Sequence, residues 1–488
     1  MSSNQPQPSI ETAPVPQILD SPEEVLSTLQ KDGKRRWLYP TPVQGLWTQR
    51  RRWLGWFLIA LFVAAPIVPV GGKPAIFLDI VHREFTILGQ TLYATDTLLL
   101  MLFMLGLLLA VFLGTALLGR LWCGWGCPQT VYMEFVFRPI ERWIEGKEST
   151  RRRNDAKEMT FHLAMRKTLK YIIFLAIALV LAHTFVAYFV SWSSLIAWMT
   201  GPPSEHMGFF VMMALTTGLI LFDFAWFREQ MCTIVCPYAR FQSVLMDRDS
   251  LIVSYDNHRG EPRGRRGKGR KGQATLSIPD VGDCIDCGAC VRTCPTGIDI
   301  RDGLQMECIG CTQCIDACDA IMIKVDKPTG LIRYTSENAL AGKPSPIMRP
   351  RIVVYSMLLM IISILFLTAF VSRDAVDLNL SRVPGAPFTE LPDHNIANRV
   401  RFRIQNRTGT DEVFRISAVQ PEGTEVRVIG NPEIALPDGK ATHIDAWVVV
   451  PPQAFDQGSA TGVFRVDSNH GGTRQAEFRL LGPSRGAQ

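Results

Sequence analysis

Five long apolar segments stand out along the chain, at residues 53–70, 95–118, 169–190, 207–227 and 352–371. A helix needs about 20 mostly apolar residues to cross the hydrocarbon core of a bilayer. Each segment is therefore predicted to form a membrane helix. The first lies behind a polar stretch, which is the wrong place for a cleavable secretory signal. The pattern predicts an integral membrane α-helical protein with five transmembrane helices.

The pattern changes after the fifth segment to short runs in which apolar and polar residues alternate. A period of two is typical of half-buried strands, and regular spacing with turns between them favours a sandwich. Residues 373–488 are therefore predicted to form an all-β immunoglobulin-like domain. It shows no catalytic constellation, so partner binding is the default expectation by fold analogy. The strands are predicted at residues 400–404, 413–416, 425–428, 447–450, 463–466 and 476–480.

Lys and Arg alternate between the loops in a way that fixes an orientation. Basic residues are dense before the first apolar segment, sparse after it, dense again in residues 119–168, absent after the third segment and dense at residues 259–271. Cytoplasmic loops carry the excess of positive charge. The N-terminus is therefore predicted to be cytoplasmic and the C-terminal domain periplasmic. The net charge of +6 follows from this topology.

The remaining segments complete the predicted domain order. Residues 1–45 are predicted as a mostly disordered cytoplasmic tail, 46–245 as a four-helix membrane domain and 350–372 as the fifth helix. The loop at 71–94 is apolar and is predicted to lie on the outer membrane surface or to form a hairpin around Leu88, Gly89 and Gln90. Residues 246–275 are predicted as a basic linker. The run 259–271 within it could bind nucleic acid, but the Gly-rich, aromatic-free composition of this run favours a flexible linker beside anionic lipid headgroups.

Residues 276–345 hold two cysteine runs, which read C-x2-C-x2-C-x3-C-P and C-x2-C-x2-C-x3-C. This tandem spacing is typical of a bacterial-type ferredoxin domain with two [4Fe–4S] clusters, in which the fourth thiolate of each cluster comes from the other run. Zinc is the alternative, but zinc sites rarely use this spacing twice. Asp319 stands where a proline would usually follow the second run, which puts the local turn in doubt. The predicted ligands are Cys284, Cys287, Cys290 and Cys318 for one cluster, and Cys308, Cys311, Cys314 and Cys294 for the other.

A second cysteine pattern, C-x3-C-P, follows both the second and the fourth apolar segments. Two cysteines four residues apart on a helix share one face, and the proline disfavours continuing that helix. Buried packing residues are the plain alternative. Because the pattern occurs twice, a metal or redox role is favoured, and soft thiolates select Cu(I), zinc or iron–sulfur iron. The candidate catalytic and copper-binding thiols are Cys123, Cys127, Cys232 and Cys236.

Three other ionisable residues are weaker candidates. His183 and Asp223 fall in or beside membrane segments, where ionisable groups are costly and default to functional candidates. For His183, a structural hydrogen bond and a role as a metal ligand are weighed equally. His82 is a lone loop histidine, for which polar surface is the more common role. All 12 cysteines lie on the predicted cytoplasmic side, where a disulfide framework is not expected.

Taken in order, the paired C-x3-C-P segments, the tandem ferredoxin runs, the fifth helix and the exported sandwich resemble the cytochrome c oxidase accessory proteins called CcoG, FixG or RdxA. The resemblance implies a bacterial inner-membrane cupric reductase. Such a protein would reduce Cu(II) to Cu(I) for the copper-export ATPase and copper chaperones that serve assembly of a cbb3-type oxidase. It implies two [4Fe–4S] clusters as cofactors and copper as substrate or bound ion.

Two other functions stay open from the sequence. Polyferredoxins of the NapH and NosR type share the C-x3-C-P hairpins, so a quinol-linked electron conduit is an alternative. A non-enzymatic scaffold for oxidase assembly is another. No G-x-G-x-x-G fingerprint follows a predicted strand, so a direct nicotinamide or flavin site is not expected. The electron donor is unassigned, a homodimer is left open, and no nucleic-acid partner is expected.

Overall fold

The computed structural model describes residues 27–30, 34–70, 73–80, 83–93, 96–264, 282–469 and 472–483. Within this part of the chain, four helices are long and apolar enough to cross a membrane. Each corresponds to a segment predicted from the apolar pattern. Their surfaces are mostly apolar and exposed, as expected for helices whose natural solvent is lipid. They are Thr97–Leu118, Phe161–Ala187, Met207–Phe227 and Pro350–Val371.

The remaining predicted segment, residues 53–70, forms the helix Leu46–Ala64, which is long enough for a span but not apolar enough. It begins seven residues earlier than predicted and includes Arg50, Arg51 and Arg52 in its first two turns. These arginines leave only the later part of the helix apolar. Of the five predicted spans, four are therefore confirmed by length and composition.

Short helices connect the long ones. Several contain π-helical turns, which are common at functional sites. The π-helical segments are Met133–Phe137, Asp223–Phe227 and Met231–Val235. Among the described residues between 119 and 349, the other short helices are Leu121–Trp125, Pro128–Tyr132, Arg138–Glu145, Glu148–Asp155, Trp192–Thr200, Pro237–Leu245, Asn257–Gly260, Ala289–Thr293, Ile300–Asp302 (3₁₀), Gln313–Lys324 and Glu337–Leu340.

The apolar loop after the first helix contains the predicted hairpin. Strands Glu84–Ile87 (β4) and Gln90–Leu92 (β5) flank Leu88 and Gly89, and β4 also pairs with Ile76–Asp79 (β3). Gly89 has φ +83°, which favours glycine. A two-stranded ladder, Pro69–Val70 (β1) with Lys73–Pro74 (β2), precedes it. His82 lies outside the described residues.

The ferredoxin segment is closed by a β-ladder that the sequence prediction missed. Strand Ile252–Tyr255 (β6) pairs antiparallel with Ile332–Thr335 (β7), one before and one after the cysteine runs. Residues 252–264 therefore belong to the ferredoxin fold, and the predicted boundary at residue 276 is too late. In the described part of the predicted basic run, Arg259 pairs with Asp283 and Arg263 with Glu261. The remainder of the run lies outside the described residues.

Residues 34–45 are ordered, so the prediction of a disordered tail ending at 45 is wrong for this segment. Arg35 pairs with Glu229 at 3.0 Å, and the Tyr39 hydroxyl donates to Asp155 Oδ2 at 2.6 Å. The Thr41 amide donates to the Arg292 carbonyl. These contacts fix the segment against the loops of the membrane domain and against the ferredoxin region. Residues 1–26 and 31–33 lie outside the described part of the chain.

Asp316, between two cysteines of the second run, caps the helix Leu46–Ala64. Its carboxylate accepts hydrogen bonds from the Trp47 amide (3.2 Å), the Thr48 amide (2.6 Å) and the Thr48 hydroxyl (2.6 Å). The first amides of a helix have no partner within it. The cap is thus supplied from 268 residues away and joins the ferredoxin segment to this helix.

Replacing Asp316 with alanine should destabilise this junction by about 2 kcal/mol, because it leaves the Trp47 and Thr48 amides without a charged acceptor. We expect a lower melting temperature in detergent and faster hydrogen exchange in the first turn of the helix. Asp316→Asn keeps one carbonyl oxygen as an acceptor, so its melting temperature should fall less than that of the alanine variant. Equal melting temperatures for the alanine variant and the wild type would contradict the capping role.

The C-terminal domain is a two-sheet sandwich, as predicted. One sheet has the order β12-β14-β10-β8, with β9 beside β10, and the other has the order β13-β11-β15-β16. Phe402, Phe414 and Phe464 are fully buried between the sheets. Every predicted strand is present, and β8, β9 and β13 are additional. The strands are Val376–Arg382 (β8), Thr389–Glu390 (β9), Ile396–Asn406 (β10), Glu412–Gln420 (β11), Glu425–Val428 (β12), Ile434–Leu436 (β13), Ala441–Val450 (β14), Ser459–Ser468 (β15) and Thr473–Leu481 (β16).

Candidate iron–sulfur and thiol site

The two cysteine runs have the same backbone conformation at equivalent positions. Asp286 and Gly288 in the first run have φ +50° and +64°, and Gly310 and Thr312 in the second have +66° and +65°. Left-handed positions of this kind turn successive backbone N–H groups toward one side, which makes a concavity suited to anionic groups such as iron–sulfur clusters. Asp286 and Thr312 adopt this conformation against their steric preference. The repeated geometry supports the same chemistry in both runs.

The arrangement of the eight thiols supports the two predicted sets, which remain a prediction. Cys294, although it belongs to the first run, lines one buried cavity together with Cys308, Cys311 and Cys314, and Cys290 also lines this cavity. Cys318 lies within electrostatic range of Cys284, Cys287 and Cys290. Burial is the main cause that raises the pKa of Cys318 to about 12 and that of Cys308 to about 11. Four irons in each set would supply the positive charge that such thiolates need, so the residues present fit two [4Fe–4S] clusters.

Cys318 lies inside the helix Gln313–Lys324, so the chain makes no turn there. Asp319 follows it on the helix, and its carboxylate accepts a hydrogen bond from the Gly330 amide at 2.8 Å. A proline at this position could not accept that bond. The departure from the usual pattern therefore leaves the Cys318 thiol in place and helps to hold the chain before β7.

The C-x3-C-P cysteines do not lie on continuous helices, which corrects the prediction of a shared helix face. Cys123 lies in Leu121–Trp125, whereas Cys127 directly precedes Pro128–Tyr132. Cys232 lies in the π-helical segment Met231–Val235, whereas Cys236 directly precedes Pro237–Leu245. In each motif the proline ends one helix and begins the next, because proline suits the first helical position.

The two motifs nevertheless come together. Cys232 lies within electrostatic range of the other three thiols, Cys123, Cys127 and Cys236. Cys123 Sγ donates to Gln242 Oε1 at 3.1 Å. Burial is the largest cause that raises the pKa of Cys123 to about 12. We call these four residues the thiol group.

The thiol group adjoins the second cysteine run. Cys123 packs in one buried cluster with Ile309 and Cys311. A Cβ atom at Gly124 would lie 2.7 Å from the Ile309 carbonyl oxygen and 2.8 Å from the Gly310 carbonyl. Only glycine allows this approach of the two backbones. The first C-x3-C-P turn is therefore in direct contact with the loop between Cys308 and Cys311.

Three known protein-family descriptions match parts of the chain. Residues 100–151 match a 4Fe–4S binding domain and residues 227–337 match a 4Fe–4S dicluster domain. Residues 366–483 match the immunoglobulin-like fold at the C-terminus of FixG.

Curated relatives match nearly the whole chain. The chain is 34% identical to Protein RdxA of Cereibacter sphaeroides over 448 residues, which covers 87% of this chain and 91% of RdxA. The chain belongs to the FixG/RdxA family. Protein RdxB of the same organism is 32% identical, covering 85% of this chain and 88% of its own. Nitrogen fixation protein FixG of Rhizobium meliloti is 28% identical, covering 92% and 94%.

This membership, the two 4Fe–4S domains and the apolar helices identify a membrane iron–sulfur electron-transfer protein. The resemblance inferred from the sequence is thus confirmed at the level of the family. The two sets of cysteine ligands remain a prediction that the arrangement of the thiols supports.

In this FixG/RdxA protein, two buried arginines join the thiol group to the second cysteine run. Arg51 is fully buried, donates to the Gly124 carbonyl, and lies 3.5 Å from the Cys311 carbonyl oxygen. Arg120 donates to the Cys308 carbonyl at 3.2 Å and to the Ala239 carbonyl at 3.1 Å. Each guanidinium thus binds main-chain oxygens from two separate segments. Its planar fork is suited to that use.

A network of buried charges surrounds the second motif. Arg228 donates to both carboxylate oxygens of Glu141, at 2.8 and 3.0 Å, and Arg151 donates to the same group at 2.6 Å. Burial alone would raise the pKa of Glu141, but Arg228 and Arg151 lower it to about 2. Arg228 precedes Cys232, so this network fixes where the second motif begins.

Among the described residues, no three His, Cys, Asp or Glu side chains are grouped closely enough to hold a single metal ion. His183 Nδ1 lies 2.7 Å from the Leu179 carbonyl oxygen one helical turn earlier. Asp223 accepts from Gln129 Nε2 at 3.1 Å, which joins the two motifs through the helix after Cys127. The predicted roles of His183 and of the thiol group in copper binding therefore stay predictions.

Sequence reasoning missed Arg51, Gln242, Glu141 and Asp316 as residues that organise the site. Arg51 stands in a run of three arginines that reads as a topology signal, and nothing in the run marks the middle one. The position of Asp316 between two predicted cluster ligands is a weak sequence signal of its role. No feature of the sequence pointed to Gln242 or Glu141.

Proposed function

We propose that this protein reduces Cu(II) to Cu(I) at the thiol group, using single electrons that enter through the ferredoxin segment. The observation that carries the proposal is the packing of Cys123 against Ile309 and Cys311. It places a candidate copper-binding thiol beside a predicted cluster ligand. The reaction consumes one electron for each copper ion, and no proton or atom is transferred.

The chemistry of the two sites suits this reaction. When bound, a [4Fe–4S] cluster exchanges one electron at a time. Cys123, Cys127, Cys232 and Cys236 offer soft sulfur ligands, which favour Cu(I) over Cu(II). Gly124 allows the close backbone contact, and Arg51 holds both sides of it. Cys123, Cys311 and Arg51 are buried, which keeps water from the contact between the two sites.

We propose further that Leu46–Ala64 crosses the membrane as a fifth span. At 19 residues it is about 28 Å long, close to the hydrocarbon thickness. Its start is capped by Asp316 of the ferredoxin segment, and near its end Phe62 accepts a hydrogen bond from Tyr188, beyond the last turn of Phe161–Ala187. An odd number of spans supports a cytoplasmic ferredoxin segment and a periplasmic sandwich.

The proposal extends to the destination of the copper. By family resemblance, the Cu(I) would pass to a copper-export ATPase and copper chaperones during assembly of a cbb3-type oxidase. The sandwich, with no catalytic constellation among its described residues, is proposed to contact assembly partners.

Replacing Cys123 and Cys127 with serine should lower Cu(II) reduction about tenfold or more, because serine oxygen is a poor ligand for Cu(I). The full-length protein is purified anaerobically, reduced, and challenged with Cu(II) while a Cu(I)-specific chelator is followed by absorbance. Iron content should stay at about eight per chain, since neither residue is assigned to a cluster. Ser243→Ala, on the helix after Cys236, is the control. An unchanged rate in the double variant would exclude this pair from the reaction.

A further inference from the structure

A solvent-open pocket of about 670 Å³ lies between three segments that are far apart in sequence. Its walls come from the ordered N-terminal residues 36–41, the helix Glu148–Asp155 and the helix Ala289–Thr293. The ion pairs and hydrogen bonds of residues 34–45 hold the first wall in place. The pocket is thus a formed feature of the ferredoxin side of the protein.

Four exposed arginines surround this pocket, and the lining has one acidic residue, Glu148, among the described residues. Arg292 also donates to the Cys287 carbonyl at 2.8 Å, which ties the rim to the first cysteine run. The excess of positive charge attracts an acidic partner and raises the rate of encounter. The arginines are Arg36, Arg152, Arg153 and Arg292.

The floor of the pocket reaches a predicted cluster ligand. Cys294 lines this pocket and also lines the buried cavity shared with Cys308, Cys311 and Cys314. Val291 and Gly297 lie beside it. A redox partner bound in this pocket would therefore contact Cys294, which is the member of its ligand set that faces the pocket.

We propose that this pocket is the docking site of the electron donor, a small acidic carrier protein of the flavodoxin or bacterial ferredoxin type. The inference deepens the proposed function, on which the direction of electron flow rests. The reduced carrier would give up one electron and so be oxidised by one electron. The acceptor, which would be reduced by one electron, would be the iron–sulfur group that Cys294, Cys308, Cys311 and Cys314 are predicted to hold. No proton or other atom is transferred.

Three observations favour a protein over a small anionic cofactor. The arginines lie at the exposed rim, where a protein surface would meet them. Glu148 occupies the first turn of its helix, where a phosphate would otherwise be favoured. Arg35 covers a face of the Trp37 ring at 3.9 Å, and Arg151 lies over the Tyr39 ring at 5.6 Å. These ring faces are therefore already occupied within the protein and do not offer a stacking surface to the flat ring of a cofactor.

The test measures binding of an oxidised flavodoxin, and separately of an acidic bacterial ferredoxin, to the full-length cluster-replete protein in detergent. Arg152→Glu/Arg153→Glu should weaken binding of the carrier about tenfold or more, and Arg152→Gln/Arg153→Gln by a smaller factor. Binding should weaken steeply with added salt, since exposed charges are screened. Lys324→Glu/Lys343→Glu changes the net charge equally, uses exposed residues outside the pocket, and should bind within about twofold of wild type.

Each other outcome overturns the proposal. Absence of binding by both carriers would exclude this class of donor, and equal weakening in the lysine control would show general charge attraction without a site. If flavin mononucleotide or a nicotinamide dinucleotide binds and the arginine variants lose it, the pocket is a small-molecule site. Iron content and melting temperature of every variant show whether it is folded. Because binding is measured without copper, failure of the copper reaction leaves this test intact.

Discussion

Replacing Cys290 and Cys294 together with serine should remove all iron from the protein, whereas replacing Cys290 and Cys318 should leave about four irons per chain. The two double variants differ by only one position. The first removes one ligand from each predicted cluster, and the second removes two ligands from the same cluster. The expected difference is therefore about one whole cluster.

The structural basis is the exchange of the fourth ligand between the runs. Cys294 shares a cavity with Cys308, Cys311 and Cys314, which Cys290 also lines, and Cys318 lies near Cys284, Cys287 and Cys290. If each run instead supplied all four of its own ligands, the results for the two double variants would be reversed. Zinc binding would leave no iron in the wild type and would show as zinc in the metal analysis.

The measurement is iron and acid-labile sulfide per chain after anaerobic purification, with the electron paramagnetic resonance spectrum of the reduced protein. Two interacting paramagnets in the wild type should become one isolated paramagnet in Cys290→Ser/Cys318→Ser. Cys123→Ser/Cys127→Ser serves as the matched control for loss of two thiols that are not assigned to either cluster. It should keep the iron of the wild type.

Replacing Glu141 with glutamine should destabilise the membrane domain by about 3–5 kcal/mol, the usual cost of removing one partner from a buried ion pair. Glu141 is 2% exposed and forms ion pairs with both Arg228 and Arg151. Glutamine keeps the size of the side chain but leaves these guanidinium groups short of negative charge. The melting temperature in detergent should fall by several degrees.

The effect should depend on pH in a defined direction. Burial alone would raise the pKa of Glu141, but the two arginines hold it at about 2, below its ordinary value of 4.5. A group whose pKa is lower when folded stabilises the folded state above its ordinary pKa, and this stability is lost as the pH falls toward the folded value. The difference in melting temperature between wild type and Glu141→Gln should therefore become smaller as the pH falls from 4.5 toward 2.

The control for this prediction is Asp302→Asn. The Asp302 side chain is 62% exposed and lies 3.9 Å from Arg263, and exposed pairs of this kind contribute little. Its melting temperature should match the wild type. If the difference in melting temperature between Glu141→Gln and wild type stayed constant across the pH range, the shape of this side chain, and not its charge, would determine its contribution to stability.

Local patterns in the sequence were sufficient for much of the fold. Apolar length predicted the helices, with Met207–Phe227 matching in both bounds, and alternation predicted the strands β10, β11, β12, β14, β15 and β16. These features succeed because they depend on residues close in sequence. The first helix was misplaced at its start because Asp316 supplies a cap that no neighbouring residue provides.

The candidate site divides in the same way. The spacing of the cysteines by itself determined that the chain carries ferredoxin runs and a duplicated C-x3-C-P motif, since cluster-binding loops have a fixed reach. Only the tertiary structure decided that Cys123 packs against Ile309 and Cys311. It also decided that Arg51 is buried while Arg50 and Arg52 are exposed. Three identical residues carry the same local signal, and which of them is buried depends on the distant segments that pack against that face of the helix.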